Sequence, residues 1–183
     1  MKGIIFNLVE DAVVAEHGEA VWDTLLDAAG LEGAYTALGD YPDADLVALV
    51  GAGAAALDVT PDDLTRHLGS AALLGLQRRY PQFFEPHTSA GDFLLTLNDV
   101  IHPEVRKLHR NASPPDFWFD GQTPDSLVIH YRSRRRLCAL AEGMIVGAAA
   151  HYGQTATLEQ TSCMNDGADH CVIHASFAAS FAA

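Results

Sequence analysis

A chain of 183 residues, 49% of them hydrophobic, has enough apolar material for one good core or two tightly joined subdomains. A formal charge of −13 repels phosphate backbones and argues against nucleic-acid binding. No run of about 18 apolar residues occurs, so no membrane span is expected. The opening Met1–Phe6 soon meets Asn7, Glu10 and Asp11 and lacks the charge-free stretch of a signal peptide, so the expected location is the cytoplasm.

Residues 2–15 are expected to form a helix, because Ile4, Ile5, Leu8, Val9 and Ala12 make one stripe. A second helix is predicted over Glu19–Ala29, stopped by Gly30, with Trp22, Leu25, Leu26 and Ala29 inside. Residues 31–42 read as loop, and Asp43–Leu57 as an Ala-, Leu- and Val-rich helix. Thr60-Pro61-Asp62-Asp63 marks the next start: a capping hydroxyl, a proline at the first helical position, then acids in the first turn. That helix runs through Leu64, Leu68, Ala72 and Leu76 toward Tyr80, and residues 81–84 follow as a turn.

Ser89 is expected to cap a helix whose Leu94, Leu97, Ile101, Val105 and Leu108 share one face. Pro103 has no N–H for the Asp99 carbonyl, which predicts a weakened or kinked helix there. After Ser113-Pro114-Pro115 the texture changes. Strands are predicted at Phe117–Phe119 and Leu127–Tyr131, joined by a turn through Gly121 and Pro124. A helix is predicted over residues 135–151, then strands at 155–163 and 170–177 around Asn165-Asp166-Gly167, and a frayed tail over 178–183. The class is α+β: a single domain of residues 1–183, helical to about residue 65 and mixed helix and sheet over about 66–177.

Two residue sets carry chemistry. His102 sits at the edge of the apolar helix face, either as a core histidine satisfied locally or as a metal ligand. Haem iron is the metal that suits an apolar pocket with one proximal histidine. Tyr131, Ser133 and Arg135 share one face if their strand continues, and two hydroxyls with a guanidinium suit carboxylates. The alternative is an exposed basic strand end. Gly-x-Ser-x-Gly and His-Glu-x-x-His are absent, and no enzyme is expected. The three cysteines, Cys138, Cys163 and Cys171, fit thiols or a metal better than a disulfide framework.

Tyr131-x-Ser133-x-Arg135 after an isolated helical His102, in a chain opening Met1-Lys2-Gly3-Ile4-Ile5, resembles the haem-nitric oxide/oxygen-binding (H-NOX) family. The resemblance runs from Met1 to about Phe177 and takes in Pro115. It implies a haem b gas sensor, with haem buried between helices and a four-stranded antiparallel sheet. His102 becomes the proximal iron ligand, and Tyr131, Ser133 and Arg135 become the propionate clamp. Pro115 presses on the porphyrin, and Ile5 packs the haem against the first helix. The distal positions are Ile5, Val9, Ala72, Leu76, Leu140 and Met144; Leu140 stands where oxygen-binding members place a tyrosine.

None of those side chains donates a proton, so the ligands implied are NO and CO, with O₂ excluded. A distal histidine and arginine for peroxidase chemistry are missing as well. The signal implied is a lengthened or broken Fe–His102 bond, read by a separate histidine kinase or cyclic-di-GMP enzyme. Some members bind zinc through three cysteines and a histidine. Here Gln160 stands at the histidine position, which leaves zinc and redox-active thiols both open. The competing readings are a thiol- or zinc-based redox sensor on the same scaffold, or an apolar small-molecule module without haem.

Overall fold

In the computed structural model, residues 1–109, 111–123 and 125–180 are described; the turn expected at Pro124 and the tail from residue 181 lie outside them. The first half is helical: α1 (Gly3–His17), α2 (Glu19–Ala29), α3 (Asp43–Leu57) and α4 (Pro61–Arg79). Local chemistry sets these ends. Gly30 ends α2 in the left-handed conformation at φ 69°, a region without penalty for glycine. At the start of α4 the Thr60 hydroxyl accepts from the Asp63 N–H at 3.1 Å. One buried cluster joins Phe6, Val9, Trp22, Leu26, Leu46, Leu49 and Leu68. Tyr35 of the intervening loop stacks on Phe6 at 4.2 Å and pins that loop to α1.

The helix expected around His102 is three segments. Ser89 caps only α5 (Ala90–Leu95), accepting from the Asp92 N–H. Residues 97–101 then form a widened π turn, and α6 (His102–Leu108) follows. The Ile101 N–H reaches back five residues to the Thr96 carbonyl, and the His102 N–H to that of Leu97. Pro103 explains the widening. Its ring would clash with the carbonyl four residues back and it has no N–H to offer, so one extra residue in the turn removes both conflicts.

The second half carries β1 (Asp116–Thr123), β2 (Ser126–Arg132), α7 (Cys138–His151), β3 (Gln154–Ser162) and β4 (Cys171–Ala179). The strands form one antiparallel sheet in the order β1-β2-β4-β3. Alternation buries Leu127, Ile129 and Tyr131 of β2 and Cys171, Ile173, Ala175 and Phe177 of β4 on one face. Ala141, Ile145, Ala148 and Ala149 of α7 cover that face. The helix expected from Arg135 begins at Cys138, because Arg136 takes a left-handed φ of 54°. Ala178 and Ala179, expected to fray, pair with Thr155 and Gln154.

α4 and α7 touch through glycine. A Cβ on Gly143 would lie 2.0 Å from the Arg66 carbonyl oxygen, and one on Gly147 would lie 2.6 Å from that of Ser70. The Arg66 side chain also bonds Glu142 at 2.6 Å, and that carboxylate is buried. α4 contributes to both cores, Leu68 to the helical cluster and Leu73 to the sheet cluster. The wall between the halves is therefore a continuous helix. No single helix among the described residues is long and apolar enough to cross a membrane.

Candidate functional site

A cavity of about 300 Å³ opens between α1, α4, the His102 segment, the sheet and α7. Ile5, Leu73, Leu76, Phe93, Leu97, Phe117, Leu140 and Met144 are among its lining residues, so most of the wall is apolar. His102 is a polar residue in that wall, 9% exposed, with its Nδ1 buried and without a partner. Asn98, one turn earlier, bonds both the N–H and the C=O of Phe117 through its side-chain amide. That double contact ties the π turn to β1 and fixes where His102 starts.

Burial pushes the His102 pKa down to about 4 from an ordinary 6.5; Arg106 adds to the effect and Asp116 opposes it. The imidazole is therefore neutral at pH 7 and offers a free lone pair, the state a metal ligand needs. A stability effect follows for the haem-free chain. Between about pH 6.5 and 4 the unfolded state binds the proton that the folded state refuses. Stability from this group is complete above 6.5 and lost as the pH falls through that window, about 3 kcal/mol in all. Urea unfolding at pH 7 and pH 4.5 measures the loss, and His102→Leu is expected to lack it.

Tyr131, Ser133 and Arg135 all line the cavity, but not as one strand face. β2 ends at Arg132, and a turn closes with the Arg136 N–H on the Ser133 carbonyl at 3.2 Å. The Ser133 hydroxyl accepts from the Arg135 N–H at 3.2 Å, which brings the guanidinium back over the cavity mouth. Arg135 donates to the Ser113 carbonyl at 2.8 Å and to Asp43 at 3.0 Å. The N-terminal ammonium lies 2.9 Å from the same Asp43 oxygen. Tyr131 is 3% exposed, and burial pushes its pKa up to about 12 against the opposing bond from Ser133. It is thus a neutral phenol with a proton to donate.

Pro115 lines the cavity beside Ser113 and Pro114. Ile5, Leu76, Leu140 and Met144 line it too. Val9 and Ala72 do not. Val9 packs in the helical cluster, and Ala72 sits with Ile4 and Leu8, one layer behind Ile5, Leu76 and Met144. Several lining residues escaped the sequence reading: Leu73, Phe84, Phe93, Phe117 and His109. The Phe83-Phe84 pair in an expected turn was the one available signal, since two aromatics there need a core to enter. The arrangement suits a flat, mostly apolar group with a metal against His102 and carboxylates at its edge.

The three cysteines converge behind Tyr131, which pairs across the sheet with Cys171. Their sulfurs lie within 4.8 Å of one another, Cys138 and Cys171 at 3.0 Å. Burial raises the Cys138 and Cys171 pKa values and keeps both thiols protonated. Gln160 lines a separate groove with Arg66 and Glu142. His170 faces the opposite side of the sheet, 3.1 Å from His130 and packed on Trp118. Among the described residues no other histidine, cysteine or carboxylate joins the three sulfurs. The set supplies three of the four ligands that a closed zinc site needs.

Residues 2–160 match the family model described as Haem-NO-binding. The fold matches an H-NOX protein from S. oneidensis in the Fe(II)NO ligation state, with TM-score 0.90, 33% identity, and 97% of this chain and 99% of that one covered. The Fe(II)CO state of the Shewanella oneidensis H-NOX domain matches with TM-score 0.87, again at 33% identity, 97% and 99% covered. The Fe(II) unliganded H-NOX protein from K. algicida matches with TM-score 0.86 and 25% identity over the whole of both chains. No curated protein matches in sequence. With the signature residues gathered around one apolar cavity and the family model spanning most of its length, the chain belongs to the Haem-NO-binding family, the H-NOX proteins.

Proposed function

We propose that this chain is a haem b sensor of nitric oxide that binds NO and CO, discriminates against O₂, and passes its signal to a separate protein. The observation that carries this reading is a neutral, buried, unpartnered His102 imidazole in a cavity whose opposite wall is apolar. When bound, haem b supplies an iron centre that takes up diatomic gases. His102 ligates that iron, and Tyr131, Ser133 and Arg135 hold the carboxylates through two hydroxyls and a guanidinium. Pro115 presses on the macrocycle from its stiff loop. Ile5, Leu76, Leu140 and Met144 face the gas, with Val9 and Ala72 supporting them from behind.

Selectivity follows from what that wall lacks. Bound O₂ carries partial negative charge and gains from a hydrogen-bond donor, whereas NO and CO need none. Leu140→Tyr places a phenol on the wall, and the expected result is a stable oxy spectrum in air where the parent shows none. A parent protein that itself forms a stable oxy complex would refute the reading.

His102 also carries the proposed signal. It opens α6 directly after the widened turn. Loss of the tether between His102 and bound iron would free that turn to tighten, and the helical half would then shift against the sheet half through α4. Such a two-state element, biased by a ligand, is what an allosteric signal requires. A cytoplasmic histidine kinase or cyclic-di-GMP enzyme is the proposed receiver. The thiol-sensor reading is disfavoured, because protonated thiols such as Cys138 and Cys171 are poor nucleophiles.

A further inference from the structure

A second histidine faces the same cavity. His109 is 6% exposed, its Nδ1 is buried without a partner, and it lines the cavity with His102, Val105 and Leu108. The tertiary fold holds it there. Its N–H bonds the Val105 carbonyl at 2.8 Å, its own carbonyl accepts from Ala112 at 3.0 Å, and Asn111 turns the chain away in the left-handed region at φ 66°. A buried polar atom without a partner is unfavourable, so a retained one in a cavity wall points to a group that enters the cavity.

Position decides which group. His109 follows the last residue of α6, seven positions after His102 and about 10 Å further along the axis. An iron held at His102 is therefore out of its reach, and the periphery of the macrocycle is within it. The polar groups that haem b offers at its periphery are its two carboxylates. Lys2 also lines the cavity, with its ammonium paired to Asp40 at 2.8 Å. We infer that His109 is a further haem-positioning residue outside the Tyr131-Ser133-Arg135 set, donating a hydrogen bond from its imidazole to a haem carboxylate. The inference rests on the haem reading proposed above.

The test measures the rate at which ferric haem leaves the protein for an excess of apomyoglobin, using the parent chain, His109→Leu and His109→Gln. Each is loaded with protoporphyrin IX iron or with its dimethyl ester. His109→Leu is expected to lose the free-acid haem about tenfold faster, the size of one hydrogen bond to a charged group. His109→Gln, which keeps a donor, is expected to recover most of the difference. With the ester the three proteins are expected to lose haem at one rate. Equal rates with the free acid, a Leu effect that survives esterification, or no rescue by Gln would each overturn the inference while leaving the haem reading intact. A His102→Gly chain that keeps histidine-ligated iron through His109 would overturn it also. A parent chain that takes up neither porphyrin would sink both.

Discussion

His102→Gly is expected to yield a chain that loses haem unless free imidazole is supplied. The substitution deletes the neutral imidazole that the structure places at the start of α6, buried in the cavity wall with its Nδ1 unpartnered. It leaves the space that a free imidazole can refill, and the apolar wall that would receive a macrocycle is untouched. Glycine at the start of α6 adds roughly 1 kcal/mol of backbone cost. His102→Ala separates that cost from the loss of the ligand, since both variants lose haem and only the glycine pays in helix stability. Titrating each purified variant with haemin, with and without 10 mM-scale imidazole (~10 mM, far above a typical ligand Kd), and following the Soret band checks the result. Retention of haem by His102→Gly without imidazole would remove the residue from its assigned place.

Gly143→Val is expected to destabilise the fold by more than about 3 kcal/mol, at or beyond the upper end for overpacking. The added Cβ would fall 2.0 Å from the Arg66 carbonyl oxygen, and that oxygen is helix backbone with no rotamer to yield. α4 and α7 must then separate. That breaks the Arg66–Glu142 pair, leaves a buried carboxylate alone, and pulls Leu140 and Met144 out of the cavity wall. Gly51→Ala is the contrasting case. A Cβ there meets nothing within 4 Å, so the helix α3 is expected to gain about 0.5–1 kcal/mol. Urea unfolding of the two variants should give shifts of opposite sign. Equal small shifts would mean that the two helices are not held as closely as the structure places them.

Much of the helical half was legible because its ends are written in local chemistry. Gly30, Thr60 and Pro61 stop or start helices whatever surrounds them, and α2 ends and α4 begins where those residues put them. The His102 segment was only half legible. Pro103 announced a defect, but whether the backbone kinks, breaks or widens depends on what Asn98 and Phe117 hold in place. Tyr131, Ser133 and Arg135 do meet at the cavity, yet the continued strand invoked for them does not exist. A turn reunites them, and turns of that kind leave no period to read.

Val9 and Ala72 show a different limit. The family resemblance named both as distal positions, and neither resemblance nor periodicity says how many layers lie between a residue and a cavity. Both are buried, one layer too deep to line it. Cys163 and Cys171 were readable as two thiols flanking one turn, with Cys138 on the preceding helix, and the outward face of His170 followed from strand alternation. His109 was passed over, because a histidine just past a helix end has no signature of burial. The folded chain brings it into one wall with Lys2 and Asn111.

The central claim is that an iron porphyrin sits in this cavity, held by one imidazole. Titrating the haem-free chain with haemin under reducing, oxygen-free conditions and recording its absorption spectrum tests it most directly. The expected result is a sharp end point at one haem per chain with a Soret band that His102→Gly abolishes. A chain that stays colourless, or that binds haemin weakly and without a defined end point whether or not His102 is present, would contradict it.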